Sequence, residues 1–99
     1  MTTSATETAA PLATGVAVTE DTLTIELSDG RTVSVPLAWY PRLLHATSGE
    51  RGTWKLIASG EGIHWTDLDE DISVASIIAG RPSAESAISL QRWLNARKT

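Results

Sequence analysis

The side chains able to do chemistry gather in one stretch, residues 60–80. It carries His64, Trp65 and the carboxylates Glu61, Asp67, Asp69, Glu70 and Asp71. Carboxylates at alternate positions suit a hard cation, and Asp67, Asp69 and Asp71 fill the first, third and fifth places of an EF-hand loop. The match then fails. The sixth place needs glycine for a sharp turn and holds Ile72; the twelfth needs a bidentate glutamate and holds Ile78. The segment is therefore read as a solvated corner whose aspartates cap and electrostatically favour a following helix. No resident metal and no cofactor is expected.

Nucleophilic chemistry finds equally little support. Cysteine is absent, which removes thiolate nucleophiles, disulfides and Cys-ligated zinc together. A Ser–His–Asp set can be assembled from His64, Asp67 or Asp69 and one of many serines, but no strained turn presents such a serine. Gly60-Glu61-Gly62 lacks the lysine and further glycine of a phosphate loop. The expectation is a protein that is not an enzyme.

Neighbouring side chains on a strand face opposite ways, so of His64 and Trp65 one enters the core and one faces outward. His64 is read as a structural hydrogen-bonding residue. What remains is recognition. An acidic run without basic residues, set beside an exposed aromatic, would steer and anchor a basic partner. The partner-binding candidates are Glu61, His64, Trp65, Asp67, Asp69, Glu70 and Asp71. A weak divalent-metal or small-ligand site around His64, Asp67 and Asp69 is an alternative.

These residues need elements to position them. Residues 1–13 are small, polar and unpatterned, and are expected to form a disordered tail ahead of one domain over 14–99. From Gly15 the apolar residues alternate as Val16, Val18; Leu23, Ile25, Leu27; and Val33, Val35. Turn signals at Glu20-Asp21 and Ser28-Asp29-Gly30, and the stop at Pro36, predict a three-stranded antiparallel meander over about 15–36. Pro41 opens a short helix over about 41–47, and the two glycines of 48–52 favour a loop. Strands follow over about 53–58 and 63–65. Ile72, Val74, Ile77 and Ile78 predict a helix over about 73–79, capped by Asp71 or Ser73 and closed by Gly80 and Pro82. A final helix over about 83–97 carries Ala87, Ile88, Leu90, Trp93 and Leu94 on its apolar face. The fold class is α+β.

A chain of 99 residues, 41% hydrophobic and 20% charged, has the composition of a single globular domain. Its net charge of −4 argues against a broad nucleic-acid surface. The remaining DNA reading is a transcriptional autoregulator using the basic end of the last helix, Arg92, Arg97 and Lys98. The four tryptophans lack the interleaved cations of a base-stacking platform. The last two helices are too short and too isolated for a DNA-reading helix-turn-helix. Nothing resembles a signal peptide, and no run approaches the ~20 apolar residues of a spanning helix. A cytoplasmic location away from any membrane is expected.

Leu27-Ser28-Asp29-Gly30-Arg31, Pro36-Leu37-Ala38-Trp39-Tyr40-Pro41-Arg42-Leu43, and above all Gly62-Ile63-His64-Trp65 followed by Leu68-Asp69-Glu70-Asp71-Ile72-Ser73-Val74, form a pattern. It resembles the bacterial domain-of-unknown-function family catalogued as 2442, over about residues 16–80. The resemblance implies a small α+β domain and supplies no established activity or catalytic residue. Members of that family are often encoded beside another small protein, in an arrangement similar to toxin–antitoxin pairs. Some are fused to a DNA-binding helix-turn-helix, a module not expected here. The combined expectation is a non-enzymatic protein–protein interaction module, an antitoxin-like partner of a small basic protein encoded by the adjacent gene.

Overall fold

The structure, a computed structural model, describes residues 10–97. The alternating runs form β1 (Ala13–Val18), β2 (Thr22–Leu27) and β3 (Thr32–Pro36), an antiparallel sheet in the order β1-β2-β3. Its register sets Ile25 between Val16 and Val33, and Leu23 between Val18 and Val35. One face is therefore wholly aliphatic, and Leu23 and Ile25 are completely buried. The other face is hydroxylated, with Thr24 and Ser34 bonded across strands at 2.8 Å. The predicted meander is present.

The second half builds a sheet of its own from β4 (Trp54–Ile57), β5 (Gly62–Trp65) and β6 (Glu70–Ser73), in the order β4-β5-β6. Both sheets share one core. Leu23, Ile25, Leu37, Leu43, Ile63, Trp65 and Leu68 are fully inaccessible within it. Trp65 is the largest of the fully buried side chains, and its indole Nε1 donates to the Arg51 carbonyl at 3.0 Å. A buried indole N–H needs such an acceptor.

Several elements differ from expectation, each for a local reason. The strand begins at Ala13, which is buried, inside the stretch expected to be a disordered tail. Leu12 is also tied in: its N–H donates to Ser28 Oγ at 3.0 Å and its carbonyl accepts the Ser28 N–H at 2.7 Å. Residues 1–9 of that expected tail lie outside the described residues. The helix expected over 41–47 is the single turn α1 (Pro41–Leu44). Residues 48–52, expected as a loop, hold α2 (Ser48–Arg51), because Thr47 and Glu50 form a reciprocal capping box. The last helix, α4 (Ala87–Arg97), starts later than residue 83. Upstream of it, the Ser83 N–H is bonded to the Trp39 carbonyl and the Glu85 side chain to Arg42.

The largest correction falls on the acidic corner, which holds a sixth strand instead of leading straight into a helix. After a turn at Thr66–Leu68, Asp69 adopts left-handed backbone (φ 51°), one of the few non-glycine residues that does so at modest cost. The chain reverses there, and β6 pairs with β5 along its length. Ile72 and Val74 are buried while Asp71 and Ser73 are exposed, a period of two. Helix α3 (Val74–Ile78) begins one step later, capped by Ser73 Oγ accepting the Ser76 N–H at 3.3 Å. Asp71 has no part in that cap.

Between β4 and β5 the chain makes a left-handed turn, with φ of 51° at Ala58, 57° at Ser59 and 104° at Gly60. A Cβ added at Gly60 would lie 2.6 Å from the Ala13 carbonyl oxygen. Strain and collision coincide there. Gly60→Ala is expected to cost about 3 kcal/mol, seen as a lowered urea midpoint, whereas Ala58→Gly relieves a positive φ and should raise it. An unchanged midpoint in the Gly60 variant would refute this placement.

Candidate functional site

The register of the second sheet sorts the predicted site residues. Lys55, His64 and Asp71 stand side by side on three adjacent strands, and Trp54, Trp65 and Glu70 form the next row. Alternation sends these rows to opposite faces. Trp65 enters the core, so the exposed aromatic anchor expected beside the acidic run is absent. His64 faces outward and its Nδ1 pairs with Asp71 Oδ1 at 2.5 Å, with the histidine side chain 23% and the aspartate 68% exposed. His64 thus makes a side-chain hydrogen bond, with Asp71 as its partner.

The row beyond His64 is Ile57, Gly62 and Ser73. Gly62 leaves the sheet bare at its centre, and a Cβ there would press on Ile57 Cγ1 at 3.0 Å. The result is an open groove of about 440 Å³ lined by Ile57, Ala58, Glu61, Asp71 and Ser73. Glu61 sits at its edge, fixed in the backbone by its carbonyl accepting the Val74 N–H at 2.9 Å. Glu61 and Asp71 are the two predicted carboxylates that share this face.

The other candidates are dispersed. Asp67 is exposed on the Thr66–Leu68 turn. Asp69 is exposed beside Arg42, Arg92 and Trp93, where its carbonyl accepts from Arg42 Nη1 at 3.1 Å. Glu70 lies on the core-facing side of β6, half buried in a cavity shared with Tyr40, Arg81 and Ser83. Burial raises its carboxyl to about 7; Arg42 opposes the rise and Glu85 adds to it. One acidic run in sequence thus becomes four separate locations in the fold. His64, Asp67 and Asp69 are not brought together, and among the described residues no group of three His, Cys, Asp or Glu is placed to hold a metal ion.

Arg42 is the residue that sequence reasoning missed. Its Nε and Nη2 grip Glu85 with a shortest contact of 2.7 Å, and its Nη1 reaches the Leu68 and Asp69 carbonyls. Its guanidinium also lies 5.3 Å from the Trp93 ring centroid, and that of Arg97 lies 4.5 Å away. Arg97, one of the DNA candidates, is further held in a two-pronged pair with Glu50 at 2.7 and 2.9 Å. That pair and the Thr47 cap pull the Glu50 carboxyl down to about 2. Arg92 is exposed, and Lys98 lies outside the described residues. A DNA contact through Arg97 would have to break these bonds.

Together these features define a small α+β domain of two successive three-stranded meanders, with a polar groove on the outer face of the second. The chain belongs to the family of proteins of unknown function designated DUF2442, whose model matches residues 13–83. Its fold is similar to the crystal structure of a protein of unknown function from Rhodospirillum rubrum, at 22% identity and a TM-score of 0.68, covering 81% of this chain and 99% of that one. It is also similar to the solution structure of an uncharacterised protein from Chromobacterium violaceum, at 20% identity and a TM-score of 0.62, covering 87% of this chain and 75% of that one. No curated protein matches the sequence. Among the described residues no helix is long and apolar enough to cross a membrane.

Proposed function

We propose that the protein is a non-enzymatic interaction module, an antitoxin-like partner of a small basic protein encoded by the adjacent gene. The observation that carries this reading is the outer face of the second sheet. Glu61, on the turn that enters β5, and Asp71, on β6, flank a groove floored by Gly62. Oriented carboxylates on a fixed scaffold speed encounter with a basic surface and select against acidic ones. Ile57, on β4, gives the groove an apolar contact.

Co-expression with the neighbouring gene product, followed by pull-down, tests the reading. The expected result is a complex whose affinity falls at least tenfold in the double variant Glu61→Lys/Asp71→Lys, with circular dichroism confirming that the variant, which loses the His64–Asp71 pair, remains folded. Failure to form a complex, or a complex indifferent to both reversals, would overturn it.

A further inference from the structure

The C-terminal segment is attached to the domain in an unusual way. Helix α4 has no fully buried residue, and Ile88 is 67% exposed. Trp93, lying against two guanidiniums, is its packing contact with the core. The other attachments are polar: Arg97 to Glu50, Arg42 to Glu85, the Tyr40 hydroxyl to the Arg81 carbonyl at 3.4 Å, and the Ser83 N–H to the Trp39 carbonyl at 2.9 Å. The strap formed by 81–84 closes over Glu70 and leaves a cavity of about 310 Å³ between them. Arg42 directs its hydrogen bonds to Glu85 and the two turn carbonyls, and none to Glu70. Two carboxylates thus depend on one guanidinium, and Glu70 is the one without a hydrogen bond to it.

We propose that Glu70 makes docking of the 81–97 segment pH-dependent, the segment being held when Glu70 is protonated and loosened when it is ionised. The groups facing Glu70 are Arg42 and Tyr40 from the α1 region, Arg81 and Glu85 from the strap side, and Asp69 and Asp71 beside it in sequence. Lifting the strap hydrates Glu70 and withdraws Glu85, which are two of the causes that raise its pKa; the attraction of Arg42 remains. The pKa then falls from about 7 toward the ordinary glutamate value of 4.5. A group whose pKa is raised in the closed state favours closure at low pH. That contribution is complete below the open-state pKa, is lost as pH rises toward about 7, and is constant above it. Glu85 stays ionised across this window because Arg42 lowers its pKa, and Tyr40 stays neutral because burial raises its own. Glu70 lies on the opposite face of β6 from the proposed partner groove; Asp71 borders both cavities, but Glu70→Gln leaves every groove residue unchanged, so either reading can fail without the other.

Amide hydrogen exchange of α4 in the full chain, corrected for intrinsic rates and referenced to β2, reads the opening equilibrium directly. Between pH 5 and pH 8 opening of α4 should rise relative to β2 by about tenfold for each pKa unit that Glu70 loses on opening, on the order of fiftyfold for a fall from about 7 to about 4.5. Glu70→Gln should abolish the rise. That variant also separates Glu70 from His45 and His64, neither of which lines the cavity. A flat wild-type profile, or the same slope in the variant, would overturn the proposal. Carbon-13 titration of the Glu70 carboxyl gives a second test in the unmodified protein, and a midpoint near 4.5 would also overturn it.

Discussion

Trp65→Ala is expected to cost about 3–5 kcal/mol, the usual range for emptying a buried aromatic site. A small domain has total stability toward the lower end of about 5–15 kcal/mol, so the variant should be largely unfolded under mild conditions. The effect has two parts. Trp65 is fully inaccessible among Ile63, Leu68 and Leu43, so its removal leaves a cavity in the middle of the core. It also withdraws the donor from the Arg51 carbonyl. Trp65→Phe separates them, since it keeps most of the ring and loses the N–H, and should cost less. Urea unfolding followed by circular dichroism would check both, and a Trp65→Ala midpoint equal to wild type would place this side chain outside the core.

Arg42→Ala should be the most damaging surface-proximal change, at about 3 kcal/mol. The Arg42 and Glu85 side chains are only 17% and 9% exposed, so the substitution leaves a largely buried carboxylate without its cation. It also frees two turn carbonyls and removes one of the cations at Trp93. Arg42→Lys should recover little, because an ammonium cannot reproduce a planar fork with four separate acceptors. Arg42→Ala/Glu85→Ala should be more stable than Arg42→Ala alone, since the orphaned charge is gone. Thermal melts of wild type, Arg42→Ala, Glu85→Ala and the double variant form a double-mutant cycle, and simple additivity would show that the pair is not coupled.

The first meander was legible in the sequence because its signal is local. Val16, Val18, Leu23, Ile25, Leu27, Val33 and Val35 alternate, and turn residues separate the runs. The corner was harder. Val74, Ile77 and Ile78 keep a helical spacing and form α3, but counting Ile72 with them reads a strand residue into the helix. What decides against it is the left-handed conformation of Asp69, which composition does not announce. The candidate site was legible in residue type and illegible in grouping. Glu70 and Asp71 are adjacent in sequence, yet strand alternation sends them to opposite sides of a sheet, and no reading of the run as a loop could separate them. Arg42 was invisible for a different reason. Its partners are Glu85, Leu68, Asp69 and Trp93, all remote in sequence, and nothing about an arginine after a proline specifies them.

In both sheets every strand pairs only with its immediate neighbour in the chain. Each meander can therefore close its hydrogen bonds through short loops, before the two halves of the chain have met. Local connectivity of this kind lowers the entropic cost of reaching the transition state and favours rapid folding, even for a domain with two sheets. The long-range contacts that remain are those between the two halves, and these are expected to form last. Gly60, lying against Ala13 where the second half touches the first, is one place where that joining leaves no room for a side chain.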